Sequence, residues 1–192
     1  MTVWNFSNLI NSCSLKSHGG YRSVFIVDTD DDEGVTSVNS DGTRVIIYKS
    51  IRFDVKYQTN KYETMRKDSL VAEKLSSSPM IVDVYGFCAL GHLGEAMPNG
   101  DLEDASVPTG GEGVELEDSE DLDPQNNFTA EQKLQFALEM AKSISLLHSY
   151  SGGVIVHDDI QLSQFLFTAD GHLKLNDFNR CVVSAVCSLL RC

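Results

Sequence analysis

Aspartates at positions 158, 159 and 177 stand on or beside short β-type runs near the end of a 192-residue chain. The stretch that holds them, 156–180, reads VHDDIQLSQFLFTADGHLKLNDFNR. A carboxylate can orient a hydroxyl group or hold a divalent cation, so these residues are candidates for a reactive site. The alternative interpretation is a turn aspartate beside a buried histidine, His157.

The elements that must position these aspartates follow from the periodicity of the chain. Alternating β-type runs predict strands at 20–28 and 44–53, and two further strands with a glycine turn at 79–97. A 3.6-residue period predicts helices at 60–76 and 129–149, the second with a capping-box pattern at its start. Short strands and an Asp-Gly turn finish the chain. The fold class is therefore α+β. The apolar stripe of the second helix is Leu134, Leu138, Ala141, Ile144 and Leu147.

One charge interrupts the apolar face of the helix predicted for 60–76. Asp68 lies on this face, three residues after Met65 and four before Ala72. Burying an unpaired charge is costly, so the pattern predicts a cationic partner for Asp68. The alternative is that Asp68 caps the start of a shorter helix.

The charge distribution limits the classes of partner. A formal net charge of −13 argues against nonspecific binding to nucleic acid or to an anionic membrane surface. Ten acidic residues fall between 101 and 127, which predicts a polar, mobile loop. This acidic loop is interpreted either as a docking segment for a basic partner or as a solvated insertion without a partner.

Targeting and redox signals point to the cytoplasm. The five cysteines are scattered, form no CxxC pair and fit neither a zinc site nor a disulfide framework. The N-terminus lacks the basic start and apolar core of a signal peptide. The apolar run CVVSAVCSLL is too short to span a bilayer. We therefore expect a cytoplasmic chain without a membrane segment.

Two motifs in the 156–180 stretch resemble the catalytic loop and metal loop of eukaryotic protein kinases. The family template is H-R-D-x-x-x-x-N followed by D-F-G. His157 and Asp159 match the first motif, and Asp177 and Phe178 match the second at a normal interval. The resemblance extends over about residues 14–180.

The resemblance implies roles for five residues. Asp159 would orient the attacking hydroxyl, and Lys49 would contact the α- and β-phosphates of ATP. Asp177 would hold Mg²⁺, with Gln164 in place of the usual metal-binding asparagine. Asp68 would be the helix acid that pairs with Lys49. ATP and Mg²⁺ are thus the implied cofactors.

A glycine-poor phosphate loop is also implied. The segment SHGGYRSV overlays G-x-G-x-x-G-x-V, with Ser17 and Arg22 in place of the first and third glycines. Fewer backbone N–H groups can then approach the phosphates closely. A bulky isoleucine also stands where a small alanine usually covers the adenine. The remaining candidates for ATP binding are Gly19, Gly20, Val24 and Ile47.

The chain departs from the template in ways that predict altered regulation and weak activity. Asp158 replaces an arginine, so a phosphorylated activation segment would find no cation there. Only twelve residues follow Arg180, which predicts a kinase-like domain truncated after the metal loop. The implied bilobal fold has a β-rich N-lobe with one helix over about 14–98 and an incomplete helical C-lobe over about 99–180. An atypical tail, 181–192, follows.

Three functions compete at this point. The first is a protein kinase, truncated and weak, that transfers the γ-phosphate of ATP to a Ser or Thr hydroxyl of an unidentified protein. The second is a catalytically inactive pseudokinase that acts as a nucleotide-binding or protein-interaction module. The third is a small-molecule phosphotransferase of the aminoglycoside-kinase type. The resemblance does not decide whether the chain is an active enzyme.

Overall fold

The computed structural model describes residues 13–29, 44–56, 58–88, 90–106 and 126–184. Strands dominate the first half, and a long helix followed by short strands forms the second. The elements are β1 Cys13–His18, β2 Arg22–Thr29, β3 Arg44–Ile51, α1 Thr59–Leu75, β4 Val84–Cys88, β5 Gly91–Glu95, α2 Leu102–Ser106, α3 Ala130–His148, β6 Val154–Val156, β7 Phe165–Phe167, β8 Leu173–Leu175 and β9 Val182–Ser184, with a 3₁₀ turn at Leu162–Gln164.

The first half folds into one antiparallel sheet of five strands, in the order β1-β2-β3-β5-β4. β-branched side chains alternate between its faces, so Val27 and Ile46 pack on one side while Val45 and Ile47 pack on the other. Together with α1 this sheet confirms the predicted β-rich N-lobe with one helix.

Helix α1 buries the face that the sequence predicts, including the charged position. Met65, Val71 and Leu75 are buried on it, and Asp68 is only 1% exposed in the middle of the helix. The residue that caps the start of α1 is Gln58. The alternative in which Asp68 caps a shorter helix is therefore wrong.

Helix α3 begins at the predicted capping box. The Thr129 hydroxyl accepts from the Gln132 backbone N–H at 3.2 Å, and the Gln132 side chain accepts from the Thr129 N–H at 2.9 Å. Two otherwise unpaired donors at the helix start are thus satisfied reciprocally.

The buried face of α3 differs from the predicted stripe. Leu134 and Leu138 are 71% and 52% exposed, and of that stripe Leu147 alone is fully buried. The face that packs on the rest of the molecule follows the same period but is offset around the helix. Its buried members are Phe136, Glu139, Ser143 and Leu147.

The largest apolar core joins both halves of the molecule beneath the 156–180 stretch. Strands β7 and β8 form a hairpin whose turn contains Gly171 at φ +83°, as the Asp-Gly pattern predicts. Phe178 is 1% exposed, so the metal-loop motif rests directly on this core. The core includes Val71, Leu75, Ile81, Leu102, Phe136, Leu147, Ile155, Phe165, Leu175 and Phe178.

Two segments differ from their predicted structure. The predicted acidic loop begins with the short helix α2, because Leu102 is apolar enough to be buried in the core at 5% exposure. Residues 107–125 of that loop lie outside the described residues. The predicted tail contributes strand β9, which pairs antiparallel with β6. Within the described ranges, no helix combines the length and apolar character needed to cross a membrane.

Candidate active site

A cavity of about 520 Å³ lies between the five-stranded sheet and the β7–β8 hairpin. Its volume falls within the usual range for small-molecule sites, roughly 300–1,000 Å³. Its lining combines apolar side chains with charged and polar ones. Lining residues from the sheet include Val24, Ile47, Lys49 and Gly94, and those from the second half include Leu166, Asn176 and Asp177.

The structure brings most of the predicted site residues to two adjoining cavities. Gly19, Val24, Ile47, Lys49 and Asp177 line the first cavity. A second cavity, of about 630 Å³, is lined by two further candidates, Gly20 and Asp159. Gly19 and Asp177 line both cavities. Neither cavity is lined by the buried side chains of Gln164 and Asp68.

Lys49 points from the middle of β3 toward the metal loop. Its Nζ donates to Asn176 Oδ1 at 3.0 Å. The expected ion pair between Lys49 and Asp68 is not formed. Because Asn176 immediately precedes Asp177, the lysine is held next to the candidate metal ligand.

A buried histidine lies behind Lys49. His92 of β5 is opposite Lys49 in the strand register, and its Nδ1 lies 3.3 Å from Ser69 Oγ. Burial, and then the charge of Lys49, lower the pKa of His92 to about 4. The imidazole is therefore neutral at physiological pH, and the positive charge near it comes from Lys49 and Arg22.

Asp68 is paired with an arginine from the start of β2. Arg22 Nη1 donates to Asp68 Oδ2, and the Phe178 backbone N–H donates to Asp68 Oδ1 at 2.7 Å. Burial by itself raises the pKa of Asp68, but Arg22 and Lys49 outweigh this effect and the net shift is downward. The side chain is thus an ionised, buried carboxylate with both oxygens engaged.

Asp177 has the features of a cation ligand. Its Oδ1 is buried and has no hydrogen-bond partner. Burial and the nearby charge of Asp68 raise its pKa, while Lys49 and Arg22 act in the opposite direction. A bound cation would satisfy the free oxygen and favour the ionised carboxylate.

The residues present fit Mg²⁺ bound together with nucleotide phosphates. Such sites use one or two protein carboxylates and complete the coordination shell with phosphate oxygens and water. Asp177 meets this requirement. Among the described residues there is no group of three or more His, Cys, Asp or Glu side chains placed to hold a metal ion by themselves. Gln164 is buried, and its backbone carbonyl accepts from Asn176 N–H at 2.9 Å.

The histidine of the first motif joins the two loops. His157 Nε2 lies 3.3 Å from the Asn176 carbonyl oxygen, and its Nδ1 accepts from the Asp159 backbone N–H at 3.2 Å. These partners place the ring proton on Nε2. The His157 ring also meets the Phe178 ring edge to face, with centroids 5.6 Å apart. His157 therefore fixes Asp159 relative to the metal loop.

Sequence reasoning did not identify three contacts at the candidate site. These are the pairing of Arg22 with Asp68, the contact of Asn176 with Lys49, and the reach of Arg180 to Asp159, whose Oδ1 lies 3.1 Å from Nη1. The sequence did contain a signal for the pairing of Arg22 with Asp68, because a charge on an apolar helix face requires a cation. Helix periodicity could not decide whether that cation was Lys49 or Arg22.

Fold and site together place a β-sheet over a cavity, with two aspartate-containing loops beneath it. A family model described as protein tyrosine and serine/threonine kinase matches residues 30–183, and the chain belongs to this kinase family. A search of curated proteins finds no significant match. The family is that of protein kinases, so its general function is phosphate transfer from ATP to protein.

Proposed function

We propose that this chain binds ATP with Mg²⁺ in the cavity beneath the sheet and transfers the γ-phosphate to a Ser or Thr hydroxyl of a protein. The observation that carries this proposal is the position of Asp177. Its unpartnered, buried carboxylate oxygen lies at the junction of a nucleotide-sized cavity and a second cavity that contains Asp159. The family match supports the same function.

Different residues of the chain would bind the adenine, bind the phosphates and orient the substrate hydroxyl. Val24 and Ile47 form an apolar surface against which the adenine can pack. Lys49, held by Asn176, offers a positive charge to the phosphates. Asp159 accepts the hydrogen bond of the attacking hydroxyl and orients it. When Mg²⁺ is bound, it neutralises charge on the phosphate oxygens.

The test begins with nucleotide binding to the purified 192-residue chain. ATP with Mg²⁺ at about 100 times its Kd stabilises the folded state by about 2.7 kcal/mol. For a chain of this size the melting temperature then rises by roughly 5–10 °C. Asp177→Asn should abolish the Mg²⁺-dependent part of this rise. The matched control is Asp170→Asn, the same chemical change on an exposed turn.

Phosphate transfer is tested on Ser-, Thr- and Tyr-containing peptides. Asp159→Asn should retain the ATP-dependent rise in melting temperature and lose about 10²–10⁴-fold in transfer rate, because hydroxyl orientation is lost. Transfer that survives both Asp159→Asn and Asp177→Asn would show that the site assignment is wrong. Transfer restricted to Tyr peptides would overturn the Ser/Thr assignment.

A second candidate function is a nucleotide-binding module without transfer. The observation that favours it is Arg180, whose Nη1 lies 3.1 Å from Asp159 Oδ1 and so occupies one oxygen of the carboxylate proposed to orient the hydroxyl. An ATP-dependent rise in melting temperature, with no transfer by the parent chain, would favour this module. A basic partner for the acidic loop fits either function and rests on the sequence alone.

A further inference from the structure

The carboxylate of Asp68 connects three parts of the site. Its Oδ2 accepts from Arg22 at the end of the glycine-poor loop, and its Oδ1 accepts from the Phe178 backbone N–H at 2.7 Å. Asp68 itself belongs to α1 and is 1% exposed. One buried side chain therefore ties the loop above the cavity and the metal loop below it to the same helix.

The cation that pairs with the Asp68 carboxylate is Arg22 of the glycine-poor loop and not Lys49. Arg22 occupies the third glycine position of the loop motif, and its side chain is 14% exposed. Its Nη2 also donates to the Met65 carbonyl oxygen in α1, at 3.2 Å. The guanidinium thus binds α1 through two acceptors, whereas Lys49 is engaged by Asn176.

The metal loop depends on the contact that Asp68 makes. Asp177 adopts φ +57°, a left-handed conformation that costs a non-glycine residue about 1–2 kcal/mol. Such a conformation persists only when its surroundings hold it. The next residue, Phe178, is held by its buried ring and by the hydrogen bond from its N–H to Asp68.

We propose that Arg22 is the positioning residue for Asp177, and that it acts through Asp68 and the Phe178 N–H. Arg22, which replaces a loop glycine, forms the ion pair with Asp68 that the kinase template assigns to Lys49. Lys49 is then available to bind phosphate. This inference deepens the proposed function, because it names what holds the metal ligand in place. Only the expected effect of Arg22 on nucleotide binding rests on the proposed function.

Hydrogen exchange of the Phe178 amide tests the inference without nucleotide. The chain contains nine phenylalanines, so selective ¹⁵N-phenylalanine labelling gives a short set of signals. Phe178 is assigned with a Phe178→Leu variant. The Phe167 amide, which donates to the Gly100 carbonyl at 2.9 Å, reports opening of the core. The ratio of the two exchange rates separates local from global opening.

We expect Arg22→Ala to accelerate Phe178 exchange at least about tenfold relative to Phe167, equivalent to about 1.4 kcal/mol. Arg22→Lys should restore most of the protection, since it retains a cation beside Asp68. The matched control is Lys61→Ala, which removes a different contact between the loop and α1, with Nζ 3.9 Å from the Tyr21 ring centre. That control should leave the ratio unchanged. Equal acceleration at both amides, or none at Phe178, would overturn the proposal.

A variant that does not fold still gives an answer. If Arg22→Ala shows no cooperative melt, the double variant Arg22→Ala/Asp68→Asn removes the charge that has lost its partner. Restored folding supports the proposal, because it identifies the Asp68 charge as what Arg22 holds. A double variant that stays unfolded would falsify it.

Titration with ATP and Mg²⁺ then separates the two proposals. Arg22→Ala should weaken the Mg²⁺-dependent stabilisation by ATP more than the stabilisation by ATP alone, because the metal carboxylate is displaced. If the parent chain shows no response to ATP, the proposed function fails. The exchange ratio still decides whether Arg22 positions the metal loop.

Discussion

At the scale of single residues, Arg180 forms an unexpected contact with Asp159. Its two terminal nitrogens lie 3.1 Å from Asp159 Oδ1 and 3.2 Å from Asp158 Oδ2. The Arg180 side chain is 54% exposed, so this pair adds little to stability. If Asp159 orients the substrate hydroxyl as proposed, the Arg180 guanidinium would compete with that hydroxyl for the carboxylate.

We therefore expect Arg180→Ala to raise kcat/KM for peptide phosphorylation by about 2- to 10-fold, which corresponds to about 0.4–1.4 kcal/mol. The unfolding free energy should change by less than about 1 kcal/mol. Added salt screens an exposed pair, so the parent's rate should rise toward that of the variant. A lower kcat/KM in the variant would mean that Arg180 assists Asp159 rather than blocking it.

At the scale of secondary-structure elements, Glu139 fastens the β7–β8 hairpin to α3. Its Oε1 lies 2.7 Å from His172 Nδ1, and its Oε2 accepts from the Leu173 N–H at 2.9 Å. The hydrogen bond to Glu139 raises the pKa of His172 above 6.5. Burial opposes ionisation of Glu139, but the bonds from His172 and Leu173 outweigh it and lower its pKa.

This pair makes stability depend on pH in a definite direction. The raised pKa of His172 contributes stability that is complete below about 6.5 and is lost as pH rises through the folded-state pKa. From about pH 6 to about pH 9 we expect a loss of at most about 1 kcal/mol, since His172 is largely exposed. Asp170, near His172, does not titrate over this range, since the hydrogen bond from Thr168 lowers its pKa still further below the ordinary carboxyl value. Urea midpoints check this, and His172→Gln should flatten the profile. A stability that rises over this interval would contradict the assignment.

For the helices, the sequence predicts where each one begins and ends better than which face it buries. Periodicity and the capping box placed α1 and α3 almost to their ends, because these signals lie within a few residues of each other. The apolar pattern predicts the wrong inward face for α3. Phe136 and Glu139 are buried because the later hairpin covers them, and the sequence of the helix does not reveal this. Local patterns carry no information about which distant partner covers a helix.

For the candidate site, the sequence predicts the motif residues but not the ion pairs that hold them. Its motifs predict Asp159, Asp177 and Lys49 as site residues, because each stands in a short pattern, and the structure places these three residues around the two adjoining cavities. The ion pairs were not predictable, since Arg22 and Asp68 are 46 residues apart, and Lys174 and Glu95 are 79 apart. Only the folded arrangement selects among several cations of similar reach.

At the scale of the whole molecule, the two halves share an apolar core and a group of ion pairs centred on Lys174. Residues of α1 pack in the same cluster as α3 and the hairpin. Beside this cluster, Lys174 Nζ of β8 lies 2.7 Å from Glu95 Oε2 and 3.5 Å from Asp83 Oδ2. Lys174 and Glu95 are 12% and 11% exposed, so this ion pair is largely removed from water. The described halves should therefore unfold together.

We expect Lys174→Met to lower the free energy of unfolding by about 3 kcal/mol, because it leaves the largely buried Glu95 carboxylate without its cationic partner. Far- and near-UV circular dichroism should give one shared urea midpoint in both proteins, shifted downward in the variant. The double variant Lys174→Met/Glu95→Gln should recover much of the loss, since it removes the stranded charge. Lys133→Met, on the exposed surface of α3, is the matched control and should change stability by less than about 0.5 kcal/mol. Two separate midpoints for the parent chain would show that its halves are not coupled in this way.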